Sequence, residues 1–544
     1  MQTVKKTGGV FRSATMILLC AFFALFVICP LCAMLVNLGK ADFGALLADG
    51  SIRTAAGHSL AVSLCATVIS IAIAAVAAFC VSRTAVWLKS LFSVLILLPM
   101  LIPSISHGMG LTILFGQNGS LTKFFGLQNG IYGFTGIVVG SVMYAFPVAF
   151  LMISDVLQYE DATPYEAAKV LGIGRARRFS AITLPYLAKP MISVFFAVFT
   201  MIITDYGVPL MIGGKYKTLP VLMYEEVIGR QDFAKGSFFG VILLLPAVIA
   251  FFVDLFCKND RRSGSVTRAF TVVRKPVRDI LAFLYLAVLS VCVIYPIVSF
   301  AALAFTKAYP IDLTFTLRHV QNTFRKGAGD YLLNSVIIAC CTALLGTATA
   351  FLSACFTARD KVRGARFLHL MSILSLAIPG IVLGLSYVLF FSGSFLYGTL
   401  AILILANTIH FFSSPYLMMY NSVAKLSPNL EAAAATLGIR KARLIFGIIL
   451  PQTRATIAEM FSYFFVNSMM TISAVAFLAT LSTKPIALMI PQFEAQMLLE
   501  ASAFVSILIL AVNLLLKGAV ALLKRGMERK KTGARSGGKD GIAC

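Results

Sequence analysis

Few residues in this 544-residue chain have the types and spacing that chemistry requires. Asp205 and Tyr206, in the stretch ITDYGVP, place a carboxylate and a phenol just before a Gly and a Pro that break helices. An ionisable group at membrane depth is costly and usually faces a bundle interior. Asp205 therefore either lines a path for a polar solute or caps and hydrates a broken helix end. His107 and His410 carry nitrogens able to ligate metal, yet lone histidines between helices more often bridge them by hydrogen bonds, and Tyr144, Asn407 and Asn467 have the same ambiguity. Cys29 and Cys32 match a CxxC spacing that suits metal or thiol–disulfide chemistry, but buried cysteine generally behaves as a small apolar filler. No clustered His, Asp and Glu residues mark a catalytic constellation, and no GxxxxGK[ST] loop is there to cradle nucleotide phosphates. An enzyme is not the natural reading.

What must position these residues is a set of apolar elements. Hydrophobic residues make up 59% of the chain and charged residues 12%, and the mean hydropathy is +0.90, far outside the soluble range. Runs long enough to cross about 30 Å of hydrocarbon fall at 14–36, 58–82, 90–115, 134–157, 191–212, 237–256, 280–305, 331–356, 367–391, 397–420, 456–480 and 501–523. The fold expected is all-α, a multi-pass membrane protein of twelve spans. The first run is too long for a signal-peptide core and stays a span.

The net charge of +24 invites a nucleic-acid reading, but its distribution argues otherwise. With the N-terminus inside, most of the 46 Lys and Arg fall on inward segments, which places both termini in the cytoplasm and makes the bilayer, not nucleic acid, the partner of the charge. All the cysteines except Cys257 and Cys544 lie in apolar runs, so no external disulfide framework is expected.

The chain is also double. The segment from His58 to Arg83 aligns with Asn334 to Arg359 at an offset of 276, and Pro103 pairs with Pro379 at the same offset. Pro147 and Pro415 then pair at 268, and Gly172 and Gly438 at 266. Duplication followed by loop drift leaves this pattern. It divides the chain into a first six-span domain (1–256), a basic linker (257–279), a second six-span domain (280–523) and a basic tail (524–544). The halves are parallel repeats about an axis along the membrane normal.

One short loop is repeated almost intact. EAAKVLGIGRARRFSAITLP (Glu166 to Pro185) returns as EAAAATLGIRKARLIFGIILP (Glu431 to Pro451). In the first copy Thr163, Pro164 and Glu166 have the spacing of a capping box, and Gly172 suits the left-handed position that ends a helix. Ser427-Pro428 and Gly438 bracket the second helix. A topological turn needs only positive charge, so two copies with equal Gly-to-Pro spacing favour a helical knob that docks in a partner's groove.

On these residues the chain resembles the permease subunits of ATP-binding-cassette importers, in particular fused, two-in-one permeases. The first loop matches that family's signature at Glu166, Ala167, Ala168, Gly172, Ile182, Leu184 and Pro185. The second matches at Gly438, Ile448, Leu450 and Pro451, but Ala432 stands where the acid is expected and Glu431 lies one residue early, as a longer or rotated helix would produce. The resemblance implies that both loops are coupling helices for two copies of an ATPase subunit. ATP and Mg would be bound there, with no cofactor on this chain. It also implies a separate extracytoplasmic binding protein, which agrees with outer segments of about 20 residues or fewer, too short to fold alone. Asp205 and Tyr206, with Thr471, the repeat counterpart of Asp205, and nearby Ser473, become candidates for the translocation path.

The stretches Ile203 to Gly229 and Met469 to Ala479 look more like the ferric and 2-aminoethylphosphonate branch than the thiamine branch. The scarcity of acids in the spans tilts the cargo toward the phosphonate, whose recognition uses helix N-termini and hydroxyls, over ferric iron, which favours carboxylate and Tyr ligands. The rival reading is an ion-coupled secondary transporter of two parallel halves. Such carriers place ionisable residues inside several spans, and here Asp205 is almost alone.

Overall fold

A computed structural model describes residues 14–117, 119–126, 130–257, 270–359, 363–427 and 429–536. Among the described residues its regular structure is helical except for one two-stranded antiparallel hairpin, Thr306–Ala308 with Asp312–Phe315. Among the described residues, eight helices are long and apolar enough to cross a membrane, and four bent helix pairs bring the number to as many as twelve. Two of the bends have an evident cause in the sequence. Pro103 and Pro379 both hold extended backbone (ψ 150° and 142°), and the helices on either side of them turn through 101° and 110°. The residue before proline is driven out of the helical region and the proline donates no N–H.

Two spans end earlier than the sequence suggests. The fifth ends at Ile203, with a separate helix Gly207–Ile212 after it, and the eleventh ends at Met470, with turns in place of helix to residue 480. Apolar composition continues past both ends, so hydropathy alone overruns them.

The chain packs as two compact units that cut across the sequence halves. One holds residues up to Gly39, then Gly327–Leu488, and those from Leu508 onward; the other holds Lys40–Lys326 and Met489–Ile507. Within the first unit, the opening helix Ala14–Leu38 lies on second-half elements. The Tyr387 hydroxyl donates to the Phe26 carbonyl at 2.8 Å, and Phe23 meets Phe412 edge-on at 4.9 Å. Within the other unit, the helix Pro276–Phe305, which opens the second sequence half, lies on first-half elements. The Tyr285 hydroxyl donates to the Ile73 carbonyl at 2.9 Å, and Phe283 meets Phe92 edge-on. A division read from the duplication follows ancestry, whereas packing follows which apolar faces fit, and the two disagree at the opening segment of each half and at Met489–Ile507.

The duplication survives in the hydrogen bonds. Ser59 Oγ accepts the Leu219 N–H at 2.8 Å, and its counterpart Ser335 Oγ accepts the Ile486 N–H at 2.7 Å. One residue earlier, His58 bonds the Lys217 carbonyl, and Asn334 bonds the carbonyl of Lys484. Each contact secures the chain that re-enters after the fifth helix of its half.

Candidate functional site

The two repeated loops share one backbone design. In the first, a helix Thr163–Val170 ends at Gly172, whose φ is +69°; the Gly172 N–H donates to the Lys169 carbonyl and the Ile173 N–H to the Ala168 carbonyl. In the second, the helix Leu430–Thr436 ends at Gly438, φ +65°, with Gly438 donating to Ala435 and Ile439 to Ala434. This paired closure satisfies carbonyls that would otherwise be orphaned at the helix end, and it requires a left-handed residue where glycine has no Cβ penalty. Ala168 and Ala434 are the buried residues of the two helices. Glu166, Ala167 and Ala432 are exposed.

After each glycine comes one basic turn, Arg175–Arg178 or Lys441–Leu444, and then a π-helical turn, Phe179–Thr183 or Ile445–Ile449, directly before Leu184-Pro185 or Leu450-Pro451. A wide turn fits a proline that lacks an N–H and whose ring crowds the preceding turn. Ile182 and Ile448 are half-buried there, while Pro185 and Pro451 face outward.

Two expectations are corrected. The first helix is not closed by a Thr163 capping box: Ala162 is the cap residue, and the Asp161 carboxylate accepts from both the Thr163 N–H (3.0 Å) and the Thr163 hydroxyl (2.8 Å). An acid two residues ahead of the first turn competes successfully for the same donors. The second helix is neither longer nor rotated. It is one residue shorter, and at the offset of 266 its exposed and buried positions from 431 to 440 repeat those from 165 to 174. Pro428, expected to open it, lies outside the described residues.

Glu431 therefore occupies the position of Tyr165, and the geometry shows its work. Arg359, the last residue of the helix Gly329–Arg359, grips it with two bonds, Nε to Oε1 at 2.5 Å and Nη2 to Oε2 at 2.7 Å, and also donates to the carbonyls of Leu426 and Ser427. In the first half Arg83, the last residue of Gly50–Arg83, donates to the Leu157 carbonyl at 2.9 Å and pairs with Glu160 at 2.5 Å. The Tyr165 hydroxyl donates to the other oxygen of Glu160 and lies 2.7 Å from Thr183 Oγ1, and burial followed by the Glu160 contact pushes its phenol up to about 12. The same arginine clamps each loop to the second helix of its half, through an acid from a different place in the loop. Neither arginine was singled out from sequence, although the two ended the aligned segments, which was the available signal.

Of the path candidates, Asp205 accepts the Val208 N–H at 3.0 Å and so caps Gly207–Ile212. Its crevice, shared with Ser59, Ser63, Ser141 and Thr218, is about 10 Å³, room for about one water. Tyr206 is buried and stacks on Tyr224 at 5.1 Å. In the other unit Thr471 follows the end of Arg454–Met470, and Ser473 sits in the turn beyond it, close to Gly380. Asp205 and Thr471 thus stand just past the ends of equivalent helices. Cys29 and Cys32 are free thiols on one helix.

A family model described as "Binding-protein-dependent transport system inner membrane component" matches residues 67–259 and again 346–529. The chain belongs to that family, carries its domain twice, and is a multi-pass inner-membrane protein; each match contains one loop. The ferric transport system permease protein FbpB of Actinobacillus pleuropneumoniae is 27% identical over 462 residues, 81% of this chain and 66% of that protein. The putative ferric transport system permease protein FbpB 1 of Haemophilus influenzae is 26% identical over 423 residues, 74% of this chain and 66% of that protein. The spermidine/putrescine transport system permease protein PotC homolog of Mycoplasma pneumoniae is 27% identical over 215 residues, 40% of this chain and 69% of that protein. The chain spans about two thirds of the length of the two ferric relatives.

Proposed function

We propose that this chain is the fused permease subunit of an ATP-binding-cassette importer that carries ferric iron into the cytoplasm. The observation that carries the reading is the pair of loops. Each ends a short helix in the same left-handed glycine and exposes apolar side chains beside it, Val170 and Leu171 in one and Leu437 in the other. Apolar side chains presented at a fixed, rigid turn suit a groove on a partner, and two copies suit two copies of one ATPase subunit. ATP and Mg are bound by those subunits, with none on this chain, and an extracytoplasmic binding protein delivers the cargo. Both termini are cytoplasmic.

Ferric iron is favoured over 2-aminoethylphosphonate by the names of the two relatives that cover most of the chain. Closure of the ATPases draws the loops together and the halves rock between outward-facing and inward-facing states, which makes transport a shift between two populations driven by nucleotide.

The test is uptake of radioactive iron into proteoliposomes holding this chain, its ATPase and its binding protein. Uptake that requires ATP and is lost when the ATPase is omitted supports the reading. Uptake driven by an ion gradient without the ATPase would replace it with a secondary transporter, and uptake of 2-aminoethylphosphonate in place of iron would change the cargo.

A further inference from the structure

The linker between the halves is attached to the first loop. Residues 270–275 run without helix or strand, with Lys275 extended, into the helix Pro276–Phe305. At their start the Phe270 ring lies under the Arg83 guanidinium, 3.6 Å from carbon to ring centroid, and meets the Tyr165 ring edge-on at 5.1 Å. Arg83 and Tyr165 are the two groups that hold Glu160. At the other end, Asp279 accepts from the Ala85 N–H at 3.3 Å, two residues beyond Arg83, and from the Lys275 N–H at 2.9 Å. Arg278 lies along the same strap, donating to Asp279 at 2.8 Å and to the Val273 carbonyl.

The strap therefore touches both sides of the first clamp: the ring covers the ion pair, and the carboxylate fixes the turn after the helix that supplies Arg83. Among the described residues, the second clamp has a different companion, Lys441 over the Phe356 ring at 5.1 Å, drawn from its own loop and its own helix.

We propose that Phe270 is a positioning residue, and that the stretch 270–279 sets the orientation of the first loop alone. A cation over a ring is held by the ring's quadrupole and gains strength where water is excluded, so Phe270 restricts the rotamers of Arg83 and through it the Glu160–Tyr165 contact at the base of the loop. The two loops of this fused chain then differ in kind. The first is held through the covalent join between halves, and the second holds itself. Any force on the join is felt at one loop and not at the other. This inference rests on the reading that the loops dock on ATPase subunits.

The experiment uses the full complex with a photoreactive amino acid placed at Leu171 or at Leu437, equivalent positions of the two loops, and measures cross-linking to the ATPase. Phe270→Ala should lower the yield from position 171 by about fivefold, the equivalent of roughly 1 kcal/mol of lost cation–ring attraction, and leave the yield from 437 unchanged. Phe270→Tyr, which keeps the ring, should restore it, whereas Phe270→Leu, which keeps apolar bulk for folding but has no ring, should not. Equal yields from 171 in wild type and Phe270→Ala, or equal losses at both positions, would overturn the proposal. So would rescue by Leu. Failure of the docking reading has a separate signature: neither position would cross-link to the ATPase in the wild-type complex.

Discussion

The first loop is fastened by a largely buried network of Arg83, Glu160, Tyr165 and Thr183, and the second by Arg359, which grips Glu431 with two bonds and donates to the carbonyls of Leu426 and Ser427. Their backbones share the same left-handed glycine closure, so the main difference lies in the anchors. Glu160 is 4% exposed and Glu431 37%. An ion pair removed from water collapses when one partner is deleted, because the other is left charged and unsolvated, whereas a pair at the surface loses little. Duplicated parts thus kept the geometry of the turn and diverged in how it is supported.

The largest expected effect separates the anchors. Arg83→Ala should destabilise the first loop by about 3–5 kcal/mol, because Glu160 stays buried without its cation, and Arg359→Ala the second by less, about 1–2 kcal/mol, because Glu431 turns to water while the carbonyls of Leu426 and Ser427 lose their donor. Limited proteolysis of each loop in detergent would show it, and equal losses would erase the contrast.

Next comes the feature the loops share. Gly172→Val and Gly438→Val should each cost about 1–2 kcal/mol, since a branched residue is strained at positive φ. No atom lies within 4 Å of either would-be Cβ, so crowding adds nothing. Uptake should fall by about tenfold in both, with the protein still inserted. A loss in only one would mean that the second glycine is no longer used.

A smaller effect follows from Tyr165. With its phenol raised to about 12 in the folded state, the stability it contributes is complete below pH 10 and is lost as pH rises from 10 to 12. The melting temperature of wild type minus that of Tyr165→Phe should shrink across that window. A constant difference would show that the phenol makes no use of its proton.

The smallest concerns Asp205. Asp205→Ala removes the acceptor of the Val208 N–H and should cost about 1 kcal/mol, and Asp205→Asn, which keeps an acceptor, a few tenths. Thr471→Ala should do neither, since Thr471 closes its helix through its own N–H to the Asn467 carbonyl. Iron uptake in Asp205→Asn should stay within about twofold of wild type if capping is the residue's whole role; a larger drop with an intact fold would return Asp205 to the translocation path.

Some of this was fixed by the chain's own order of residues. Apolar length alone marks membrane spans, since a helix must cross hydrocarbon whatever surrounds it. Glycine at 172 and 438 declares a left-handed turn because other residues pay for it locally, and Pro103 and Pro379 declare bends for the same local reason. The repeat was legible from aligned segments, and with it the one-residue displacement of Glu431. The contacts beyond one turn were not. That Glu431 meets Arg359, that Glu160 meets Arg83, that Phe270 lies beneath that guanidinium, and that the first helix of each half packs against the other half's repeat, all join residues 70 or more positions apart. Sequence periodicity records which face of a helix is apolar, but which apolar face or which acid it meets is chosen only when the whole set of helices competes for burial, and that choice belongs to the tertiary structure.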